Sequence, residues 1–286
     1  YRFTTSAYSL PVNVKDPDLS EYADPNAQFT LIKNDFNNLT NTLRSGGSAY
    51  ENLVDVDMLA RFLLVNELVM NLELRHPKSC HLYKEDLLAL HSKYVFGPVW
   101  DFDIAFDNDY RTYPLNNKSE FVCFSGGSVA GDMGTFVRRI VLQDPKTMSE
   151  LKSHWQTGRH NQITAEALCQ WIDSMAVALY YSQRLNFMRW NILHSQEHMN
   201  PVARGSYTAE VNYLKEYITK RIQWMDNRLG YVHTDIQSPM TNTQCPISIW
   251  DIMGRLIYQG EQLPALDKGL YIVRHNEKTE IIMINN

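Results

Sequence analysis

The chain has 286 residues, with 27 Lys plus Arg against 32 Asp plus Glu and a formal net charge of −5. Hydrophobic residues make up 44% and charged residues 21%, which excludes a disordered chain and fits one large domain, alone or with a small module. The acidic balance argues against a broadly basic nucleic-acid binder, and no apolar run reaches the roughly 20 residues that a membrane-spanning helix needs.

The chain opens at Tyr1 with no basic stretch and apolar run of the secretory type, so no signal peptide is expected within it. Leu10-Pro11-Val12-Asn13-Val14 alternates apolar and polar residues as an edge strand does. Asp24 then caps a helix with Pro25 in its first turn. Phe29, Ile32, Phe36, Leu39 and Leu43 form its apolar stripe, and Gly46-Gly47 ends it. Asp55 caps a second helix over about Val56 to Asn71. This helix is apolar on most sides, so it reads as a core helix, and Asn66 and Glu67 inside it need partners if buried; the alternative is that they satisfy nearby backbone or sit on a solvent-facing edge.

Two short strands follow, Cys80 to Tyr83 and Tyr94 to Trp100, the second interrupted by Gly97-Pro98. Asp101 to Asn117 is polar and reads as loop, and Gly126-Gly127 and Gly131 mark a mobile or tight segment. Asp144-Pro145 starts another helix. Thr164 caps a long one running to about Leu193, and Ser206 caps one from Tyr207 to Leu229 that ends at Gly230. Trp155, Trp171, Trp190 and Trp224 sit at core-like helical spacing, while Tyr110 and Tyr113 lie beside the acidic loop.

Beyond about Thr234 the texture changes. A Pro- and Thr-rich stretch leads into short alternating strands at Ile247 to Ile252, Leu270 to Arg274 and Ile281 to Ile284. The expected fold class is α+β: a mainly helical body over residues 1–235 with a short β hairpin, then a small all-β module over 236–286. None of Cys80, Cys123, Cys169 and Cys245 forms a CxxC pair, so a structural zinc site is not expected. Buried free thiols and two disulfides both remain open, the former the commoner arrangement.

The densest chemical signal is Trp100-Asp101-Phe102-Asp103 at the end of a strand. Carboxylates at i and i+2 of a regular strand point to one face, and two hard oxygen ligands there suit Mg²⁺ or Ca²⁺. Ala105 and Phe106 stand where an EF-hand loop needs a ligand and a glycine, so that motif does not fit. The alternative is that Asp101 and Asp103 only cap a turn. The second signal is the polar run leaving the core helix, Asn66-Glu67 through Asn71 and Glu73 to Lys78, Ser79 and His81. His76 and His81 flank it and have no evident metal partner.

Together the segments FLLVNELVMN, PKSCHLYKED and YVFGPVWDFDIAF resemble the CotH kinase-like family of bacterial spore-coat and surface proteins. SMAVALYYSQRLNFMRW and YLKEYITKRIQWMD are similar to its closing helices. The resemblance covers most of Pro11 to Leu229 and implies the C-lobe of an atypical kinase fold, with secretion or display at the cell surface. It implies Mg²⁺ with ATP, a protein hydroxyl as acceptor, Asp101 and Asp103 as metal ligands, Glu73 at the place of the catalytic base and Ser79 at that of a second ligand. Lys78 is placed to offset developing charge on nucleotide phosphates.

This sequence departs from the family pattern in carrying Glu73 in place of Asp and Ser79 in place of Asn. It contains no G-x-G-x-x-G or Walker loop, so a nucleotide-covering half is expected upstream of Tyr1. The tail, with Gly254-Arg255 and Lys268-Gly269-Leu270-Tyr271-Ile272-Val273, resembles the C-terminal sorting domain of type nine bacterial secretion. Three readings stay open: a kinase; a catalytically silent kinase-like scaffold that binds a cell-surface partner; and a metal-dependent carbohydrate hydrolase built on Asp101, Asp103 and a third acid.

Overall fold

The computed structural model describes residues 1–75, 79–111, 113–114, 121, 145–161, 163–231, 247–251, 255–260, 264–275 and 278–284. The chain divides into two compact units. The first comprises Tyr1–Ile163, Ser195–Ala203 and Glu216–Tyr231; the second comprises Thr164–His194, Arg204–Lys215 and Val232–Asn286.

The first unit opens with β1 (Arg2–Thr4) paired antiparallel to β2 (Pro11–Asn13), Phe3 facing Val12. Helix α1 (Pro25–Ser45) starts where its cap predicts: the Asp24 carboxylate accepts from the Ala27 N–H at 3.0 Å, and Gly46 ends it at φ 82°. The stripe Phe36, Leu39 and Leu43 is buried.

Helix α2 (Val56–Val69) is capped by Asp55, which accepts from the Met58 N–H at 3.0 Å. Leu59, Ala60 and Leu63 on it are fully buried, as expected for a core helix. The hairpin pairs β3 (Leu82–Tyr83) with β4 (Val95–Phe96), shorter than the sequence suggests, and Phe96 packs against Phe62 of α2. Asp35 of α1 holds this hairpin, accepting from Lys84 Nζ at 2.9 Å and from the Tyr94 hydroxyl at 2.7 Å. Burial first, and then that bond to Asp35, push the Tyr94 phenol well above its ordinary pKa.

Helix α3 (Pro145–Asn161) packs on α2 and buries Leu151 and Trp155. The Trp155 indole donates to Asp226 at 2.9 Å, and Arg159 Nε donates to the same carboxylate at 2.8 Å. Asp226 lies on the last helix, α6 (Tyr207–Leu229), whose residues from Glu216 onward belong to this unit. Ile218, Ile222, Met225 and Leu229 form its buried stripe.

In the second unit, the single long helix expected from Thr164 is two: α4 (Ala165–Ala178) and α5 (Tyr180–Arg189), broken at Leu179 with φ −86° and ψ 4°. No Gly or Pro marks the break, and nothing in the local sequence explains it. Trp171 and Trp190 are 55% and 57% exposed, so helical spacing misassigns them to a core that Trp155 does occupy.

The tail folds as β5 (Ile247–Asp251), β6 (Leu256–Gly260), β7 (Gly269–His275) and β8 (Lys278–Ile284), an antiparallel sheet in the order β6-β5-β7-β8. Ile249 opposite Val273 and Trp250 opposite Ile272 set its central register, with Ile249 and Ile272 buried. Arg274 of β7 donates to Gln170 of α4 at 2.9 Å. Helices with small antiparallel sheets make this an α+β chain.

Candidate functional site

The site is built outward from the C-terminal end of α2. A helix leaves its last carbonyls without intrahelical partners, and here each has another one. Glu67 O accepts from Arg221 Nε at 2.8 Å, Leu68 O from the Tyr217 hydroxyl at 2.7 Å, and Val69 O from the Phe106 N–H at 2.6 Å. Met70 is left-handed at φ 54°. Its N–H donates to Glu67 O at 3.2 Å and that of Asn71 to Asn66 O at 2.9 Å, the paired bonds of a Schellman ending with Met in the place usually held by Gly. A side chain at such a φ costs of order 1–2 kcal/mol, and the three tertiary bonds on the preceding carbonyls hold it there.

Glu67 and Arg221 also pair through their side chains at 2.8 Å, with 3% and 0% exposure. The guanidinium lies over the Trp224 ring, 4.3 Å from its centroid. The sequence requirement that Asn66 and Glu67 find partners is met in full. Asn66 Nδ2 donates to Phe62 O at 2.8 Å, and its Oδ1 accepts from Asn71 Nδ2 at 3.1 Å.

Just beyond, Leu72–Arg75 forms one 3-10 turn carrying Glu73. The Glu73 N–H donates to Asn71 Oδ1 at 3.0 Å, and the Cys80 thiol reaches Glu73 O at 3.9 Å. Burial pushes the Cys80 thiol up to about 12, and the nearby Glu73 charge adds to the shift. Ser79, left-handed at φ 51°, donates through Oγ to Asp101 Oδ2 at 2.9 Å. His76 and Lys78 lie outside the described residues; His81 packs edge-on to Trp100.

The acidic segment is a series of turns. The strand expected to carry both carboxylates stops at Phe96, and Asp101 sits at φ 64°. That backbone departs from the pleat, so the i, i+2 same-face argument fails. Asp101 turns to Ser79, while Asp103 Oδ1 accepts from the Ile104 N–H at 2.9 Å. Asp101 and Asp103 are exposed, while Asp107 and Asp109 are buried. Asp109 accepts twice from Arg111 Nε at 2.9 Å. Those bonds, and then the charges of Asp109 and more weakly Glu73, raise the Arg111 guanidinium further above its ordinary value.

The structure thus brings Ser79 to Asp101 and the Cys80 thiol to the Glu73 carbonyl. It does not gather Glu73, Asp101 and Asp103 into a three-ligand cluster. Among the described residues the group with that geometry is Asp57, Glu150 and His154, whose ligand atoms lie within 4.8 Å of one another. Tyr110 is 62% exposed beside the acidic loop. The residues that sequence reading passed over are Tyr217 and Arg221, while Asn71 was read within the polar run but given no role. Tyr217 and Arg221 share the i, i+4 spacing of one helix face.

The model of the CotH kinase protein family matches residues 9–225. No curated protein and no solved structure matches the chain. The family match spans most of the sequence and every element of the site above, and the chain belongs to the CotH kinase protein family.

Proposed function

We propose that this family member transfers a phosphoryl group from Mg²⁺-ATP to a hydroxyl of a protein acceptor. The observation that carries the reading is the Ser79–Asp101 contact at 2.9 Å, which joins the two halves of the family motif beside the turn bearing Glu73. Asp101 and Ser79 offer a carboxylate and a hydroxyl oxygen side by side. Such hard donors fit Mg²⁺, which takes one or two carboxylates and keeps waters and substrate phosphates in its other positions. When bound, the ion supplies positive charge against the β- and γ-phosphates.

Glu73 holds the acceptor hydroxyl and takes its proton. The hydroxyl oxygen then bonds to the γ-phosphorus as the bond to the ADP oxygen breaks. Asp101, fixed by Ser79, orients the metal side of the site, and Lys78, next in sequence to Ser79, offsets charge on the phosphates. Asp103 would be a second metal ligand on the family resemblance alone, its Oδ1 accepting from the Ile104 N–H.

Secretion or surface display is part of the proposal and is supported by the family resemblance and by the four-stranded tail with its sorting-domain-like sequence. A cell-surface protein is then the acceptor class.

Thermal melts of the full chain with millimolar Mg²⁺-ATP, together with transfer of labelled γ-phosphate to dephosphorylated casein, test the reading. Saturation about tenfold above Kd raises the melting temperature by about 2–4 °C, Asp101→Asn removes the rise, and Glu73→Gln removes transfer. No shift and no transfer overturns the reading. A shift without transfer favours a nucleotide-binding scaffold instead.

A further inference from the structure

We infer that Asn71 is a positioning residue for Glu73, acting through the backbone of its turn, with Asn66 as its anchor; this rests on the phosphotransfer reading above. Asn71 and Asn66 are 4% and 3% exposed. A buried amide is tolerated when its donors and acceptors are engaged, and both side chains are engaged in one direction. Phe62 O accepts from Asn66 Nδ2 at 2.8 Å, Asn66 Oδ1 accepts from Asn71 Nδ2 at 3.1 Å, and Asn71 Oδ1 accepts from the Glu73 N–H at 3.0 Å.

The first carbonyl belongs to the middle of α2, a core helix with Leu59 and Leu63 fully buried on it. The last N–H belongs to the residue proposed to take the proton. The two amides therefore reference Glu73 to the core helix that precedes it.

The choice of residue follows from valence. Position 71 must accept from Glu73 N–H and donate to Asn66 Oδ1 at once, which a planar amide does with its two ends. Asp lacks the donor. Ser can reach the N–H two residues on but cannot span to Asn66 as well. Ala leaves the Glu73 N–H and Asn66 Oδ1 without these partners. The backbone of Asn71 is fixed independently, by its own N–H on Asn66 O at 2.9 Å, so removing the side chain spares the helix ending while releasing the turn. Because Glu is one methylene longer than Asp, the carboxylate has more freedom to lose, and a misplacement of about 1 Å can cost about a hundredfold in rate.

The test uses the full chain with Asn71→Ala, Asn71→Ser and Asn66→Ala. Labelled phosphate transfer to casein is followed well below each variant's melting temperature, alongside amide hydrogen exchange read at Glu73. Asn71→Ala is expected to lower kcat about ten- to a hundredfold with KM for ATP unchanged, and to speed exchange at Glu73 at least tenfold while α2 amides keep their protection. Asn66→Ala gives a smaller change in the same direction, and Asn71→Ser restores part of the rate.

Unchanged kcat in a folded Asn71→Ala chain overturns the inference, as does a loss that only tracks the folded fraction. A wild-type chain that transfers nothing overturns the phosphotransfer reading instead. The exchange measurement then still decides whether Asn71 holds Glu73, and unaltered exchange in Asn71→Ala overturns that too.

Discussion

The two ends of α2 carry the same chemistry at opposite depths. At its start, Asp57 accepts from Arg61 Nε at 2.8 Å and meets His154 Nε2 at 2.6 Å, with the Asp57 side chain 49% exposed. At its end, Glu67 meets Arg221 with both side chains nearly or fully excluded from solvent. Water and salt screen the first pair, which is worth about 0–1 kcal/mol. The second has no water to fall back on, so removing one partner leaves an uncompensated charge in the interior. Burial, more than the count of ion pairs, tells which end of the helix the fold depends on, and the buried end is the one that leads into the candidate site.

Arg221→Ala tests this contrast most severely. It strips Glu67 of its counter-charge and its carbonyl of a donor, and is expected to cost about 3–5 kcal/mol in urea unfolding. The double variant Glu67→Gln with Arg221→Met should lose distinctly less than the sum of the singles, because no charge is then stranded. Additive losses would break the comparison. Tyr217→Phe removes the bond to Leu68 O and should cost about 1 kcal/mol, with packing against Phe106 retained.

At the exposed end, Asp57→Asn should change stability by less than about 0.5 kcal/mol at neutral pH, and less still in high salt. The Arg61 hydrogen bond chiefly, aided by His154, holds the Asp57 carboxyl below its usual range. Its small contribution is therefore present above the unfolded value near 3.9 and is lost as pH falls through the lower folded one. An acid titration of the melting temperature should flatten slightly in the variant.

The smallest expected signal is at Cys80. With its thiol pushed up to about 12, it should stay unmodified by iodoacetamide at pH 8 in the native chain and react once unfolded. The folded state binds the proton more tightly than the unfolded state, so Cys80's contribution to stability declines as pH rises above the unfolded value near 8.5. Rapid native labelling at this residue would show that the turn bearing Glu73 opens readily.

Much of the helical architecture was legible because caps and stripes are local. Asp24, Asp55, Thr164 and Ser206 each accept from the N–H three residues on, at 3.0 to 3.1 Å. The alternating tail strands appear as an antiparallel sheet. That Asn66 and Glu67 would need partners if buried was likewise a local deduction, and the structure buries both. What those partners are was not legible: Arg221 lies 154 positions away, and nothing near Glu67 points to it. The pleat argument for Asp101 and Asp103 failed for the same kind of reason. A residue's φ is set by what its neighbours in space require, and Asp101 at φ 64° answers to Ser79.

Sequence alone determined the element types, the family and the polar residues that must meet something at the end of the core helix, because propensity, capping and hydrophobic period act over a few residues. Only the tertiary structure decided that Tyr217, Arg221 and Phe106 close that helix end, that Asn71 ties Glu73 back to it, and that Ser79 rather than Asp103 faces Asp101. Hydrogen bonds between distant segments are selected by the geometry of packing, and packing is a property of the whole unit rather than of any stretch within it.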